Sequence, residues 1–411
     1  MRTVVRRVKQ LQASQLSVQA LSRLSSIGIF LMASWADRPH LALVAFQGAL
    51  FAIPYTLVES LIGRPMSADV VPVEWDIEVW ARRAMTAVVV PVGLVAIISA
   101  SVALPGSSQV DHLIMITPIM LQLPLESLFW TRARSWSRRR TNLIPQLTAA
   151  GTLLAGIVLA IMHLRLDIAT VPAQVIVLGW ALMSRQPANM GLLRPKVWQS
   201  AKVGSVYCFA AAIDLLYSVA LPSVAGALVG QTALVVLRAM DLAFGPFHVA
   251  LSATTREDIV GGKKSRLLTG TRALTVVTLV VVSGIILSNA RVRALLAADL
   301  TGLGTMTLTT YCGYKAFMML STWLATRHMI RVRPGQYLIS ALGSRVVAFS
   351  CIAISFLWVT TVPALFIQLV ICEALIVCWF VFRIVVTTDV VSIPAVPVAQ
   401  AAGFAASEEA L

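Results

Sequence analysis

The sequence predicts an all-α polytopic membrane protein with about twelve transmembrane helices, and three observations lead to that prediction. Hydrophobic residues make up 58% of the 411 residues, whereas charged residues make up 12%. The mean hydropathy is +0.83, which is typical of multi-pass membrane proteins and excludes a soluble enzyme. Apolar runs of roughly 20 residues, long enough to cross a bilayer as helices, recur along most of the chain.

The chain opens with a basic stretch, MRTVVRRVKQLQASQ, which we expect to lie in the cytoplasm and to lead into the first helix. A cleaved signal peptide is the alternative, but no small-residue cleavage site follows the apolar run 27–36. The predicted spans are 18–36, 41–62, 84–104, 112–131, 146–164, 168–184, 204–222, 225–250, 272–289, 300–326, 336–357 and 362–383.

Basic residues are distributed unevenly between the two ends of these spans. With a cytoplasmic amino terminus, 26 of the 33 Lys and Arg residues, Arg23 among them, fall on the cytoplasmic side, and only Arg38, Arg165, Arg291 and Arg293 fall outside. Because Lys and Arg in short loops stay in the cytoplasm, the asymmetry predicts that both termini are cytoplasmic. Topology and anionic lipid then account for the net charge of +15, so nucleic acid is not an expected partner.

The spans divide into two sets of six with similar loop spacing, which indicates parallel repeats related by an axis along the membrane normal. Trp130 in the fourth span and Trp323 in the tenth are each followed by a cluster of Arg residues. Proline and alanine are frequent in the final residues, which we expect to be disordered. The predicted organisation is a cytoplasmic amino terminus (1–17), an amino-terminal half (18–184), a cytoplasmic linker (185–203), a carboxy-terminal half (204–383) and a cytoplasmic tail (384–411).

Three charges lie near mid-membrane depth in the seventh and eighth spans: Asp214, Arg238 and Asp241. A charge at the centre of a spanning helix costs about 2.5–3.5 kcal/mol on insertion scales, so it normally faces protein or a wet cavity. If LPSV (221–224) is the break between these spans, Asp214 and Arg238 lie level, roughly 15 and 14 Å from the cytoplasmic face. Asp241 shares the helical face of Arg238. The three residues form either a structural ion pair or the wall of a cavity for a charged cargo.

Further charges are embedded in the last three spans. Lys315 lies near the middle of the tenth span, where its side chain cannot easily reach either surface, so we expect it to face a cavity. Glu373 is central in the last span and either pairs with Lys315 or faces a peripheral groove. Arg345 lies nearer the cytoplasmic end of its span, and its side chain can alternatively extend to the membrane surface.

The cytoplasmic segment VEWDIEVWARRAMT (73–86) combines charged residues with large apolar ones. This pattern predicts an amphipathic helix that lies on the membrane. Trp75 and Trp80 are expected to anchor it at the interface.

Sites for catalysis, cofactors and metals are not predicted. The five cysteines lie in apolar segments without CxxC spacing, which gives neither a disulfide framework nor a metal site. The run VGGKKS lacks the spacing of a P-loop, and neither GxSxG nor HExxH occurs. A membrane glycosyltransferase would use an acid near the outer face. Asp37 is the candidate, but such a residue beside Arg38 and Pro39 more often ends a helix.

Two six-helix halves, short outer loops, a basic loop after the fourth span and an eighth span ending in LRAMDLAFGPFHVALSA (237–253) resemble the oligosaccharide flippases of the Wzx type. These flippases belong to the multidrug/oligosaccharidyl-lipid/polysaccharide exporter superfamily, together with lipid II flippases and multidrug and toxin extrusion antiporters. The likeness covers about residues 15–385 and consists of spacing and residue character more than of invariant residues.

The resemblance implies a V-shaped bundle that opens alternately to each side of the membrane. It would move a polyprenyl-diphosphate-linked glycan across the bacterial cytoplasmic membrane, and other polysaccharide-assembly proteins are further partners that the resemblance admits. Cationic side chains of the cavity would bind the diphosphate, since Arg matches phosphate oxygens and Lys adds a point charge. The positions of matching character are Arg238, Lys315 and Arg345. The acids at similar depth depart from a purely cationic cavity and leave room for an ion or proton relay: Asp214, Asp241 and Glu373.

Three functions follow from the sequence. The first is a flippase for a lipid-linked oligosaccharide, favoured by the repeat, the loop pattern and the embedded cations. The second is a cation-coupled small-molecule antiporter of the same fold, favoured by the embedded acids. The third is an integral membrane glycosyltransferase, which would require Asp37 to be essential.

Overall fold

A computed structural model describes residues 2–67, 70–184, 193–244, 278, 280–296, 304–332 and 334–388. Nearly all of these residues are helical, and they include no β-strand beyond an isolated bridge between Trp75 and Leu193. The predicted all-α class is therefore confirmed. The helices are α1 (Arg2–Ala36), α2 (Leu41–Leu50), α3 (Ala52–Val58), α4 (Arg64–Ser67), α5 (Ile77–Ala103), α6 (Gln109–Ser135), α7 (Arg138–Ile161), α8 (Thr170–Met183), α9 (Val197–Val229), α10 (231–244), α11 (280–288), α12 (Ala290–Leu296), α13 (Thr305–Arg331), α14 (Pro334–Trp358) and α15 (Val362–Thr388).

Seven helical segments of the described chain are long and apolar enough to cross a membrane. Two shorter apolar helices, Ala20–Ala36 and Thr170–Met183, coincide with the predicted first and sixth spans. Parts of the predicted spans 225–250, 272–289 and 300–326, and most of the tail 384–411, lie outside the described residues. The seven segments are Arg38–Met66, Ile77–Ala103, Gln109–Ala133, Arg140–Ile161, Ala211–Val229, Gln336–Trp358 and Val362–Val386.

The second span is a single path made of several helical pieces. Phe51 separates α2 from α3, and a π-helical turn, Glu59–Gly63, joins α3 to α4. By contrast, α5 and α6 begin with well-formed caps. The Asp76 carboxylate accepts hydrogen bonds from the backbone N–H groups of Glu78 and Val79, and Ser108 forms a capping box with Asp111.

The break between the seventh and eighth spans is not where the sequence placed it. The helix α9 continues through 221–224, with Pro222 inside it, and ends at Val229. Gly230 then takes a φ of 95°, a left-handed conformation that glycine adopts without a steric cost. The turn therefore comes at Gly230, and α10 follows directly after it.

The first helix also differs from the prediction, because α1 begins at Arg2 and includes most of the predicted 1–17 terminus. Arg23 lies thirteen residues before Ala36, which is roughly 20 Å along a helix. It is therefore part of the helical bundle and not of a loop.

The bundle has two different ends. One end carries the short connections 37–40, 104–108 and 162–169 and the turn at Gly230, and we call it the turn face. The opposite end, the basic face, carries most of the described Lys and Arg residues outside the helix centres. The topology predicted from the sequence assigns the turn face to the outside.

Side chains join the connections of the turn face. The Asp37 carboxylate accepts a hydrogen bond of 2.8 Å from the Leu166 N–H, and Arg165 binds both Asp111 and Asp167. Hydrogen bonds to both carboxylates raise the pKa of Arg165, and the one with Asp167 has the larger effect. Gln47 donates to the carbonyl oxygens of Met115 and Asp167, at 2.8 Å each. Asp37, the candidate catalytic acid of the transferase hypothesis, thus binds a neighbouring loop.

Segment 73–86, at the basic face, is not a separate amphipathic helix. From Ile77 onwards the segment is the start of the spanning helix α5. Trp80 is fully buried, and its indole N–H donates to the Ser200 carbonyl of α9. On the neighbouring helix, Arg132 is also buried and pairs with Glu78 at 2.8 Å.

The apolar core shows how the two predicted halves meet. One continuous cluster joins residues near the turn face from both halves, such as Phe46 and Leu104 with Leu234 and Phe366. It also extends along the contact between α5 and α9. Towards the basic face, each half has a small cluster of its own, one around Trp136 and one around residues such as Phe380. The halves are therefore joined at the turn face and also along the length of the bundle, through the contact between α5 and α9.

Candidate functional site

A cavity of about 100 Å³ lies between the predicted halves. The amino-terminal half supplies α2, and the carboxy-terminal half supplies α9, α10 and α13. Most of the lining side chains are small or aliphatic. The lining residues are Ala45, Phe46, Ala49, Ser218, Leu221, Pro222, Leu234, Leu237, Arg238, Asp241 and Tyr314.

Arg238 projects from α10 into the wall of this cavity. Its guanidinium lies against the backbone of Gly48 in α2: a Cβ atom built on Gly48 would be 2.5 Å from Cζ and Nε of Arg238. Among the described side chains, no acid forms a salt bridge with Arg238. The structure thus brings a half-buried guanidinium to the contact between the two halves.

Asp241 and Lys315 form a compact ion pair beside Arg238. The Asp241 carboxylate accepts hydrogen bonds from Lys315 Nζ at 2.5 Å and from the Tyr311 hydroxyl at 2.8 Å. The Lys315 ammonium also lies over the rings of Tyr311 and Tyr314. Only 4% of the Lys315 side chain is accessible, compared with 46% of the Asp241 side chain. Lys315 is therefore neutralised within the protein, whereas Asp241 is in part open to the cavity that it lines.

The described charges around the cavity are positive on balance. Asp241 attracts the Arg238 guanidinium, and Arg23 of α1 is close enough to repel it. Among the described side chains, Arg23, Arg238 and Lys315 contribute three positive charges, and Asp241 contributes one negative charge. Two arginines from different halves thus lie near one cavity that lacks a matching number of described acids. Sequence reasoning missed Arg23 because it assigned this residue to the cytoplasmic side.

The prediction that Asp214 and Arg238 lie at the same depth is wrong, because the turn between their helices is at Gly230 and not at 221–224. Asp214 lies sixteen residues before Gly230 and Arg238 eight residues after it, which correspond to roughly 24 and 12 Å along their helices. The backbone of Asp214 belongs to α9, but its side chain lies outside the described part of the structure. Arg238 is instead level with Pro222, which lines the same cavity.

The other two predicted residues lie away from this cavity's lining. Glu373 of α15 is buried and accepts a hydrogen bond of 2.8 Å from the Ser321 hydroxyl. Within the described part of the chain it forms no salt bridge with Lys315, which pairs with Asp241. Arg345 of α14 lies over the ring of Tyr217 at 5.3 Å. Lys315 and Arg345 are both within electrostatic range of Glu373. Coupling through Glu373 and cargo binding by Arg345 stay predictions.

A metal centre is not formed by the described residues, which contain no group of three or more His, Cys, Asp and Glu side chains that could bind an ion. Gly48 is the residue that sequence reasoning could not single out. A glycine within an apolar span has no charge or motif, and its contact is 190 residues away in the chain.

The fold is similar to those of two solved membrane transporters. A lipid II flippase, MurJ, in its inward-closed conformation aligns with a TM-score of 0.65 and 12% identity, over 91% of this chain and 87% of that chain. An inward-facing multidrug-resistance transporter of the MATE family, in the MOP superfamily, aligns with a TM-score of 0.62 and 13% identity, over 93% of this chain and 99% of that chain. No protein-family model matches the chain, and a sequence search of curated proteins finds no match. The chain therefore shares its fold with these two transporters.

Proposed function

We propose that this protein is a flippase that moves a lipid-linked oligosaccharide across the bacterial cytoplasmic membrane by alternating access. The observation that carries the proposal is the Arg238 guanidinium, which lines a cavity between the two halves without a described salt-bridge partner. Asp241 attracts Arg238 without forming a salt bridge with it, and a cation at this depth is costly unless it also serves a ligand or a wet cavity. A diphosphate is a fitting ligand, because guanidinium groups bind phosphate oxygens through two parallel hydrogen bonds.

The proposed cargo path follows from the arrangement of the charges. The diphosphate binds Arg238, with Arg23 adding positive charge from the other half, while the polyprenyl tail stays in lipid between the halves. Lys315 holds Asp241 and does not itself contact cargo. This assignment revises the direct role for Lys315 that the sequence suggested.

The cavity is too small to hold the whole head group of the proposed cargo. At about 100 Å³ it is smaller than the roughly 300–1,000 Å³ of typical ligand pockets. A head group with sugars therefore requires the halves to separate. We propose that they rock about their contact, opening towards the basic face for loading and towards the turn face for release.

Similarity of fold to a lipid II flippase supports this proposal, and similarity to a MATE transporter supports a second one. The second candidate is a cation-coupled exporter of small molecules, in which partly accessible Asp241 exchanges an ion. Its distinguishing property is that transport follows an ion gradient and needs no lipid-linked sugar.

Deletion of the gene in its host tests the choice between the two. For the flippase we expect lipid-linked oligosaccharide to accumulate and the surface polymer to decrease, both measured in extracts by mass spectrometry and sugar analysis. Re-expression of the wild-type chain should reverse both changes. Unchanged lipids and glycan, together with new sensitivity to toxic small molecules, would favour the exporter.

A further inference from the structure

The contact between Gly48 and Arg238 has a specific geometry. A Cβ atom built on Gly48 would lie 2.5 Å from Cζ, 2.5 Å from Nε and 2.6 Å from Nη2 of Arg238. These three atoms all belong to the planar guanidinium group. Because the distances are nearly equal, the added carbon would stand over the flat face of the group and not in line with its N–H bonds.

This geometry has a consequence for the N–H groups of Arg238. A guanidinium's N–H bonds lie in its plane, so stacking one face on α2 leaves the edge of the group for other partners. The same residue lines the cavity, together with Ala45 and Ala49 on either side of Gly48 along the chain. Small residues around the contact therefore leave room for a ligand beside the guanidinium edge.

The two residues also lie at the same height. Gly48 is seven residues after Leu41, the first residue of α2, and Arg238 is seven residues after the start of α10 at 231. Both are roughly 11 Å from the turn face along their helices. The contact thus joins the two halves at the level of the cavity.

We propose that Gly48 is a positioning residue that holds the Arg238 guanidinium flat, so that its edge meets an anionic head group bearing two adjacent oxygens, such as a diphosphate. The inference rests on the proposed function, since it deepens the account of the same site. A side chain at position 48 would turn or push the planar group and spoil bidentate binding. Folding would be little affected, because the guanidinium is the end of a flexible side chain with a cavity beside it.

The chain offers a matched control for a Gly→Ala change within a helix. A Cβ built on Gly179 of α8 would meet no atom within 4 Å. Gly179→Ala therefore makes the same change in helix propensity without a new contact. It separates the displacement of Arg238 from any general effect of alanine in a helix.

The test measures the affinity of purified protein in nanodiscs for farnesyl diphosphate, a short polyprenyl diphosphate, by calorimetry. We expect Gly48→Ala to weaken binding by about tenfold, as expected for a lost hydrogen bond to a charged group, and Gly179→Ala to leave it unchanged. The unfolding temperatures of the two variants should agree. In an Arg238→Lys background, Gly48→Ala should have little further effect, because an ammonium has no plane to be held.

Each other outcome overturns the proposal in a recognisable way. Equal binding by Gly48→Ala and Gly179→Ala would show that position 48 does not orient the guanidinium. If Gly48→Ala weakened binding equally in the wild-type and Arg238→Lys backgrounds, or failed to fold, Gly48 would have a packing role alone. Absence of farnesyl diphosphate binding in the wild-type protein would instead reject the proposed cargo class, and this inference with it.

Discussion

Two cations that look alike in the sequence, Arg238 and Lys315, have different surroundings in the fold. Both lie deep within predicted spans, and the family resemblance assigned both to the cargo. In the structure Lys315 is 4% accessible and bound to Asp241, whereas Arg238 lines a cavity and rests on glycine. The difference teaches that the cost of an embedded charge can be met by a nearby acid or left for a ligand. Only the second arrangement provides a binding group.

The largest effect on stability is expected from separating the Lys315 pair. Lys315→Met leaves the Asp241 carboxylate without its cation, and breaking a buried pair costs about 3–5 kcal/mol. Because 46% of the Asp241 side chain is accessible, we expect the free energy of unfolding to fall by about 3 kcal/mol, at the low end of that range. Denaturation in mixed micelles measures this value.

Adding Asp241→Asn to Lys315→Met is the control, since it removes the orphaned charge. The double variant should recover most of the lost stability. If Lys315→Met kept its stability but lost farnesyl diphosphate binding, Lys315 would have to contact cargo and the contrast with Arg238 would fail.

A smaller effect on stability is expected from Tyr311, which also binds Asp241. Tyr311→Phe removes the hydroxyl that donates to Asp241 and keeps the ring over which Lys315 lies. A hydrogen bond to a charged group contributes about 1.5–3 kcal/mol. Water from the cavity can replace it at the accessible Asp241 carboxylate, so we expect a loss of about 1 kcal/mol in the same denaturation assay. A loss as large as that of Lys315→Met would show that the ion pair is not the main support of Asp241.

The sequence was sufficient for the features that depend on composition and local pattern. Apolar length predicted the all-α membrane class, and the uneven distribution of Lys and Arg predicted the difference between the two ends of the bundle. The break at 221–224 was wrong, because proline is tolerated within membrane helices. The actual turn depends on a single glycine with positive φ, Gly230.

Features that depend on distant partners could not be read from the sequence. Trp80 looks like an interfacial anchor, but its indole finds the Ser200 carbonyl 120 residues away. Arg23 looks like part of a basic terminus until α1 is seen to be one continuous helix. Gly48 gives no sequence signal, because its feature of interest is the missing side chain, which leaves space for the Arg238 guanidinium.

The central claim is that Arg238 binds an anionic head group in the cavity between the halves. The most direct test compares farnesyl diphosphate binding by the wild-type protein, Arg238→Gln and Arg64→Gln. The last variant makes the same charge change on the basic face, where Arg64 is 49% accessible and lies 3.6 Å from Glu59. Loss of a charge-assisted hydrogen bond predicts binding about 10- to 150-fold weaker for Arg238→Gln and unchanged for Arg64→Gln. Equal affinity of Arg238→Gln and the wild-type protein would contradict the claim.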